Sequence, residues 1–452
     1  MIRLPSRAAA TLAGWTAPAV LVLAAPALAQ TPPAFDRAVA GQTTILERFT
    51  PPPRVGQVEL TVEDQSRQIP GPEAEAVRFR LAAVDVAGVQ SVPMSDLAPL
   101  WQDRLGTEVS LADLYRLAEA VDAAYLRAGY FSKTVVPVQD VTEGRVSLQV
   151  YEGYLQRVEI NSAIPGIDQR LRPYIDRLMA MHPIRVAEAE RVLLLMSDLG
   201  GLQIEGTFLR PDTASGGGVL ELDVGFVRHA AMLGLDNFGT DEVGPLEFST
   251  MLSVNDLFGA FDTLTLVGVT VPDSPEEMGL LQLSHDIPIG HDGLKAGYGV
   301  TWISQEPGGD LEDLDVSVET AMGSVYLEYP FLRRLDRNLR GRAELNLRND
   351  EIDILGTPEL RSRTRWATLG LSYDREFGKG AYAVGIEAGQ GLDVPDLRQD
   401  LPADYRFLRL DLDASRALAP RTEIRLRAVG QEAGEALRPR PIPAARRGAR
   451  AP

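Results

Sequence analysis

In this 452-residue chain, four histidines, one Ser-His-Asp triplet, two glycine clusters and one acidic run could support chemistry by residue type. His182, His229, His285 and His291 lie far apart, and the last two flank a turn at Pro288 and Gly290, which is not a zinc spacing. Ser284, His285 and Asp286 are consecutive. A nucleophile, its base and the orienting acid converge from separate elements, so three adjacent residues cannot form a triad. Gly200-Gly201 and Gly216-Gly217-Gly218 lack the strand-to-helix context of a phosphate-binding loop and read as turns. Asp310, Glu312, Asp313 and Asp315 could offer oxygens to a calcium ion, but such a run reads first as a solvated loop. Cysteine is absent, which rules out disulfides and thiolate metal sites. The expectation is no enzyme, no metal and no cofactor.

Function must then reside in surfaces and in the elements that build them. The formal charge of −18 argues against a nucleic-acid partner, which would call for a basic footprint. Arg3 and Arg7 precede an apolar stretch ending in Ala27-Leu28-Ala29, the pattern of a cleaved secretory signal over residues 1–29. Removing those two arginines takes the charge from −18 to −20. No later run reaches the ~18 apolar residues of a spanning helix. A membrane-crossing part would therefore have to be a closed β-barrel.

Residues 110–153 form the organising stretch. Leu114, Leu117, Val121 and Ala124 recur at helical spacing, Ser110 and Asp113 form a capping box, and Gly129 is a left-handed stop. Strand-like runs follow at Thr134–Val138 and Arg145–Tyr151, joined by a turn at Thr142, Glu143 and Gly144. With a strand at Ala76–Val86 and a short helix at about Met94–Leu105, the order is β-α-α-β-β. Tyr154–Asp223 reads as the same module again: a strand at Tyr154–Asn161, helices at Ile167–Met181 and Val186–Leu199, and strands at Leu202–Leu209 and Val219–Gly225.

The phrase GYF…VPVQD…GRVSLQVYEG within 129–153 resembles the first POTRA domain of two-partner secretion transporters, the outer-membrane proteins that export haemolysins and adhesins. That resemblance implies a chain divided into a signal peptide (1–29), an N-terminal helix and Pro-rich linker (30–75), POTRA 1 (76–152), POTRA 2 (153–225), a partial outer-membrane barrel (226–437) and a basic tail outside the family pattern (438–452). The fold class expected is α+β POTRA modules, two in tandem, followed by an antiparallel transmembrane β-barrel that is incomplete in this chain. The one place for a helix in the linker is Phe35–Phe49, before Pro51-Pro52-Pro53. In the resembled family such a helix sits inside the barrel; a periplasmic tail is the alternative.

From Phe226 onward, helical periodicity gives way to alternating runs about every 20 residues, the spacing of transmembrane hairpins. Leu294–Trp302, Arg342–Arg348, Leu408–Ala414 and Glu423–Ala428 each alternate apolar with polar residues, which suits lipid on one side and a wet lumen on the other. A soluble β-sandwich also alternates. The segments at 235–248, 255–266, 329–345 and 388–394 resemble the family's early barrel strands. About ten strand-like segments are expected, against sixteen strands in the resembled barrels. A Val-Arg-Gly-aromatic motif and a terminal aromatic are not found, and Arg438–Pro452 is crowded with proline and arginine. These departures suggest truncation, for instance by a frameshift near Leu437.

Two surfaces are candidate sites. POTRA edge strands could take up an extended client as an added strand, which singles out Thr134, Val135, Val136 and Val138 in the first module and Gln203, Ile204 and Thr207 in the second. Packing within the sheet is the alternative role for each. Arg342, Glu344, Arg348, Arg409, Asp411, Arg425 and Arg427 would face the barrel lumen, where mixed charge would let a polypeptide slide, or would simply pack the wall. The resemblance implies a secreted exoprotein as partner, outer-membrane lipid and lipopolysaccharide around the barrel, the barrel-assembly machinery, and a monomer in the Gram-negative outer membrane with its N-terminal domains in the periplasm. Alternatives are a barrel-assembly insertase, a non-transporting periplasmic scaffold and, with no triad to support it, a barrel hydrolase.

Overall fold

The computed structural model describes residues 58–64, 72–210, 216–237, 239, 242–393, 405–419 and 422–434. The signal-peptide stretch, the helix expected at Phe35–Phe49 and the tail from Arg438 lie outside the described residues. The chain divides into two compact units at Phe226/Val227.

The first unit opens with β1 (Val58–Asp64), then β2 (Arg78–Arg80) and β3 (Ala83–Ala87). The single strand expected at Ala76–Val86 is thus broken: β2 leaves to pair with β4 (Glu108–Ser110), while β3 joins the module's main sheet. The helix expected at Met94–Leu105 is likewise two turns, α1 (Met94–Leu97) and α2 (Pro99–Gln102). Pro99 has no amide hydrogen to continue the first turn and is suited to start the second. α3 (Leu111–Arg127) begins as its sequence predicts. Ser110 Oγ accepts from the Asp113 amide at 3.2 Å, and Asp113 Oδ2 accepts from the Ser110 amide at 2.9 Å. It stops at Gly129, whose φ of 89° suits glycine. β5 (Ser132–Val135) and β6 (Arg145–Glu152) complete a three-stranded sheet of order β3-β6-β5. The α3 stripe Leu114, Leu117, Val121 and Tyr125 packs with Val146, Leu148 and Val150 of β6 and with Leu97 and Trp101.

The second module runs β7 (Tyr154–Asn161), α4 (Ile167–Met179), α5 (Val186–Ser197), β8 (Leu202–Arg210) and β9 (Gly217–Phe226). Leu171, Leu178, Val192, Leu194, Met196, Ile204 and Leu222 are among its most deeply buried apolar side chains. The two modules are joined by backbone. The Ile184 amide donates to the Gly153 carbonyl at 2.8 Å and Val186 to Gly129 at 3.0 Å. Phe131 stacks on Phe208 with centroids 5.8 Å apart. Gly217 and Gly218 are not turn residues but open β9. At Gly216 a Cβ would collide with the Glu152 carbonyl, so the close seam between modules explains that glycine.

Sheet order in the second module is β1-β8-β9-β7. β1, from the stretch expected to be only linker, lies parallel beside β8 with Val58 opposite Ile204 and Thr61 opposite Thr207. Its sequence, VELTVED, alternates apolar and polar residues with period two.

The second unit is one antiparallel meander of eleven strands, each paired with the next. They are β10 (His229–Asp236), β11 (Glu247–Asn255), β12 (Thr263–Thr270), β13 (Gly279–Ile289), β14 (Leu294–Gln305), β15 (Val316–Arg333), β16 (Arg337–Ile354), β17 (Thr357–Phe377), β18 (Gly380–Gly391), β19 (Arg406–Ala419) and β20 (Thr422–Gly434). Among the described residues no ladder joins β10 to β20, so the sheet is open there. Turns at the end where β10 begins are short, as at Arg334–Asp336 and Gly378-Lys379, while most connections at the other end are longer, as at 306–315 and 392–405. No helix among the described residues is long and apolar enough to cross a membrane.

Glu152, at the end of β6, ties the first module together. Its carboxylate accepts from the Gln90 and Ser91 amides at 2.9 and 2.6 Å, from Ser91 Oγ at 2.8 Å and from Tyr125 Oη at 3.0 Å. Burial alone would raise its pKa, but these donors together hold it below the usual glutamate range. A lowered carboxylate contributes stability that is full above its unfolded pKa and is lost as pH falls through the folded one. Glu152→Gln should therefore cost about 1–3 kcal/mol at neutral pH. It should also flatten the acid-side loss of protease resistance of this module, measured by limited proteolysis of the full chain between neutral pH and pH about 3.

Candidate client-binding edges and lumenal wall

In the first module β5 is an edge of the main sheet, paired with β6 from Ser132↔Glu152 to Val135↔Gln149. Its side chains are nevertheless covered. Thr134 Oγ1 and Ser132 Oγ donate to Asp122 Oδ1 on α3 at 2.8 and 2.7 Å, and Thr134, Val135 and Val136 are all buried. Val138, beyond the strand end, is the one fully exposed member of that candidate set. The strand expected over Thr134–Val138 ends at Val135, two residues before Pro137, which cannot donate to a ladder.

The second-module set is a correction. Gln203, Ile204 and Thr207 lie on β8, which has β9 on one side and β1 on the other, so it is an interior strand. Ile204 is 2% exposed and belongs to the core, whereas Gln203 is exposed and Thr207 half-buried. Proline-rich flanks mask the period-two alternation of VELTVE in the sequence.

The seven lumenal candidates share one face of the eleven-stranded sheet. Register carries the opposite face across the whole unit: Leu252, Leu266, Leu283 and Val300 stand in one row, and Leu327, Ala343, Leu369, Ala388 and Leu408 in another. That face is exposed and apolar, with Leu233 and Leu369 both 68% and Leu345 53% exposed. Between these residues, on the other face, the charges are paired. Arg342 Nε reaches Glu344 at 3.0 Å and its Nη1 lies 3.7 Å from Glu328; its guanidinium also covers the Tyr326 ring, 3.5 Å from the centroid. Arg348 pairs with Asp350 at 2.8 Å, Arg409 with Asp411 at 3.0 Å and Arg425 with Glu423 at 3.3 Å. Arg427 stands opposite Asp413 in register. Most of these ion pairs join residues two apart on one strand, which side-chain alternation places on one face.

That face is not polar throughout. Toward the end with the longer connections, Val267, Val269, Val271, Met278, Leu280 and Ile303 form a dry cluster on it, and Val316, Val318 and Ile352 form a second. Backbone bonds among those connections, Glu306 N to Glu276 O at 3.0 Å and Gly308 N to Glu242 O at 2.8 Å, hold them together.

His285 lies on the apolar face near the short-turn end and is 3% exposed. Its Nε2 is 2.9 Å from Asp262 Oδ2, and Phe258 and Tyr298 flank the ring. Burial pushes the Asp262 pKa up, but the hydrogen bond to His285 and backbone donors including Phe258 bring it below the ordinary aspartate range. This pair staples the 256–262 turn to the sheet and has no nucleophile beside it. Among the described residues no three His, Cys, Asp or Glu are placed to hold a metal.

Comparison with known proteins follows the same division. Residues 79–153 match the ShlB-type POTRA domain, and residues 226–437 match the haemolysin secretion/activation protein family ShlB/FhaC/HecB. The chain belongs to the haemolysin secretion/activation protein family ShlB/FhaC/HecB. HuxB of Haemophilus influenzae, a heme/hemopexin transporter protein, is 24% identical over 288 residues, covering 61% of this chain and 49% of its own length. The chain thus spans about half the length of the curated relatives it matches. Among solved structures, CdiB from Escherichia coli superposes with a TM-score of 0.62 at 17% identity, covering 88% of this chain and 76% of that one. CdiB from Acinetobacter baumannii gives 0.52 at 15%, covering 90% and 77%. At such identity the likeness is one of fold: POTRA modules followed by an antiparallel barrel sheet.

If the apolar face meets lipid, Leu345→Arg should cost about 2–4 kcal/mol near the membrane midplane. It should sharply lower the amount of chain recovered folded in outer membranes, whereas Glu344→Gln, one residue away on the other face, should leave recovery near wild type.

Proposed function

We propose that this chain is an outer-membrane protein translocator. Its tandem POTRA modules engage an unfolded exoprotein of haemolysin or adhesin type in the periplasm, and its barrel passes that client outward. The observation that carries this reading is the sheet of the second unit, apolar and exposed on one face and lined with internally paired charges on the other. A lumen whose arginines are already matched by neighbouring carboxylates holds no strong net attraction for a sliding polypeptide, so the client is neither trapped nor excluded. The short-turn end, where the chain enters from the POTRA modules, is the periplasmic end, and the longer connections are extracellular. The dry clusters beneath those connections narrow the exit. The family uses no nucleotide, and folding of the client outside makes passage one-way. Lipid surrounds the barrel, and the working unit is a monomer delivered by the barrel-assembly machinery.

The first test is heat modifiability. Chain folded in outer membranes is compared before and after boiling on a detergent gel. A mobility shift is expected for a closed barrel, and protein recovered only as aggregate or fragments would overturn the translocator reading. The second is co-expression with a secreted exoprotein of haemolysin or adhesin type. Client in the medium is expected with wild type and should fall several-fold with Arg342→Glu, which replaces a matched arginine by a third adjacent carboxylate.

A further inference from the structure

The β8 edge of the second module is where an extended polypeptide could join that sheet, and the chain's own β1 already occupies it. The register pairs Val58, Leu60 and Val62 with Ile204, Gly206 and Phe208, the three β8 residues that face the module's interior, and pairs Glu59, Thr61 and Glu63 with Glu205, Thr207 and Leu209. β1 therefore pairs its apolar positions with the inward-facing residues of β8, the register that a period-two alternation matches.

Three features make this strand replaceable. Among the described residues it has one sheet neighbour, so its ladder is held from one side only. It runs parallel to β8, the somewhat weaker pairing per residue. Its register also places Glu59 at the position paired with Glu205, and like charges at paired positions disfavour a ladder. Against these stands the tether, which gives β1 a high effective concentration at its own edge. We infer that β1 is an exchangeable strand that holds the β8 edge until an extended client segment, apolar at alternate positions and neutral or basic opposite Glu205, takes its place. This deepens the translocator reading by naming where and by what chemistry the second module takes its client. It treats the exposed strand as one the chain covers against indiscriminate pairing.

The chain has no cysteine, so one engineered pair tests the exchange cleanly. Thr61→Cys with Thr207→Cys places cysteines on neighbouring strands about 4.8 Å apart, within disulfide range. The probe is a fluorescent peptide of residues 56–66, with a second version carrying E59K, added to the full-length chain in detergent. Reduced chain should bind the peptide, oxidised chain should not, and reductant should restore binding. The E59K peptide should bind more tightly than its parent. If β1 holds the edge nine-tenths of the time, Leu60→Pro with Thr61→Pro should raise peptide affinity about tenfold over wild type. Equal binding to the oxidised and reduced chain would overturn the inference, as would no binding to either the reduced or the proline-substituted chain. These readouts involve no secretion, so their failure would leave the translocator reading standing on its own tests.

Discussion

A sheet immersed in hydrocarbon has to satisfy every backbone amide and carbonyl within itself, because no water is present to take them. The second unit meets that demand between neighbouring strands, each of its eleven members laddered to the next, while the outer edges of β10 and β20 have no ladder partner among the described residues. Once the ladder fixes register, alternation does the rest: a leucine row falls on one face and an arginine–carboxylate row on the other with no further instruction. A shift by one residue anywhere would exchange the two faces, so register, more than any single contact, is what the rest of this unit depends on.

Charge pairing is the second layer. Arg342, Arg348 and Arg409 each have a carboxylate two residues along the same strand. Such pairs contribute little stability when exposed. Their consequence here is electrostatic, because a wall paired in place presents small local fields. The pairing is local in sequence, which is why it survives independently of how neighbouring strands are arranged. The dry clusters at the other end have a different origin, since Val267, Leu280 and Ile303 come together only through the two successive ladders β12–β13 and β13–β14.

The first unit depends on edges and seams. In the first module Glu152 gathers donors from the Gln90-Ser91 loop and from α3 onto the last strand, then Gly153 passes the chain directly into the second module. The small residues at Gly216–Gly218 let β9 approach that junction. β1 closes the opposite side of the second module's sheet with a segment drawn from before the first module.

Much of this was legible in the sequence because it is written in short-range periodicity and capping. The α3 stripe, the Ser110–Asp113 box, the Gly129 stop, the two helices of the second module and the alternating strands β14, β16, β19 and β20 all follow from residues within a few positions of one another. The same local alternation assigned all seven lumenal candidates to one face. Tertiary structure decided what local pattern cannot: that Arg78–Arg80 leaves its neighbour to pair with Glu108–Ser110, that Thr134 turns inward to Asp122, and that β8 is an interior strand. An edge is defined by the absence of a partner, and the partner can come from anywhere in the chain. Sequence fixes which residues can form a strand and which face each side chain takes, and only the assembled sheet determines which strand lies beside which.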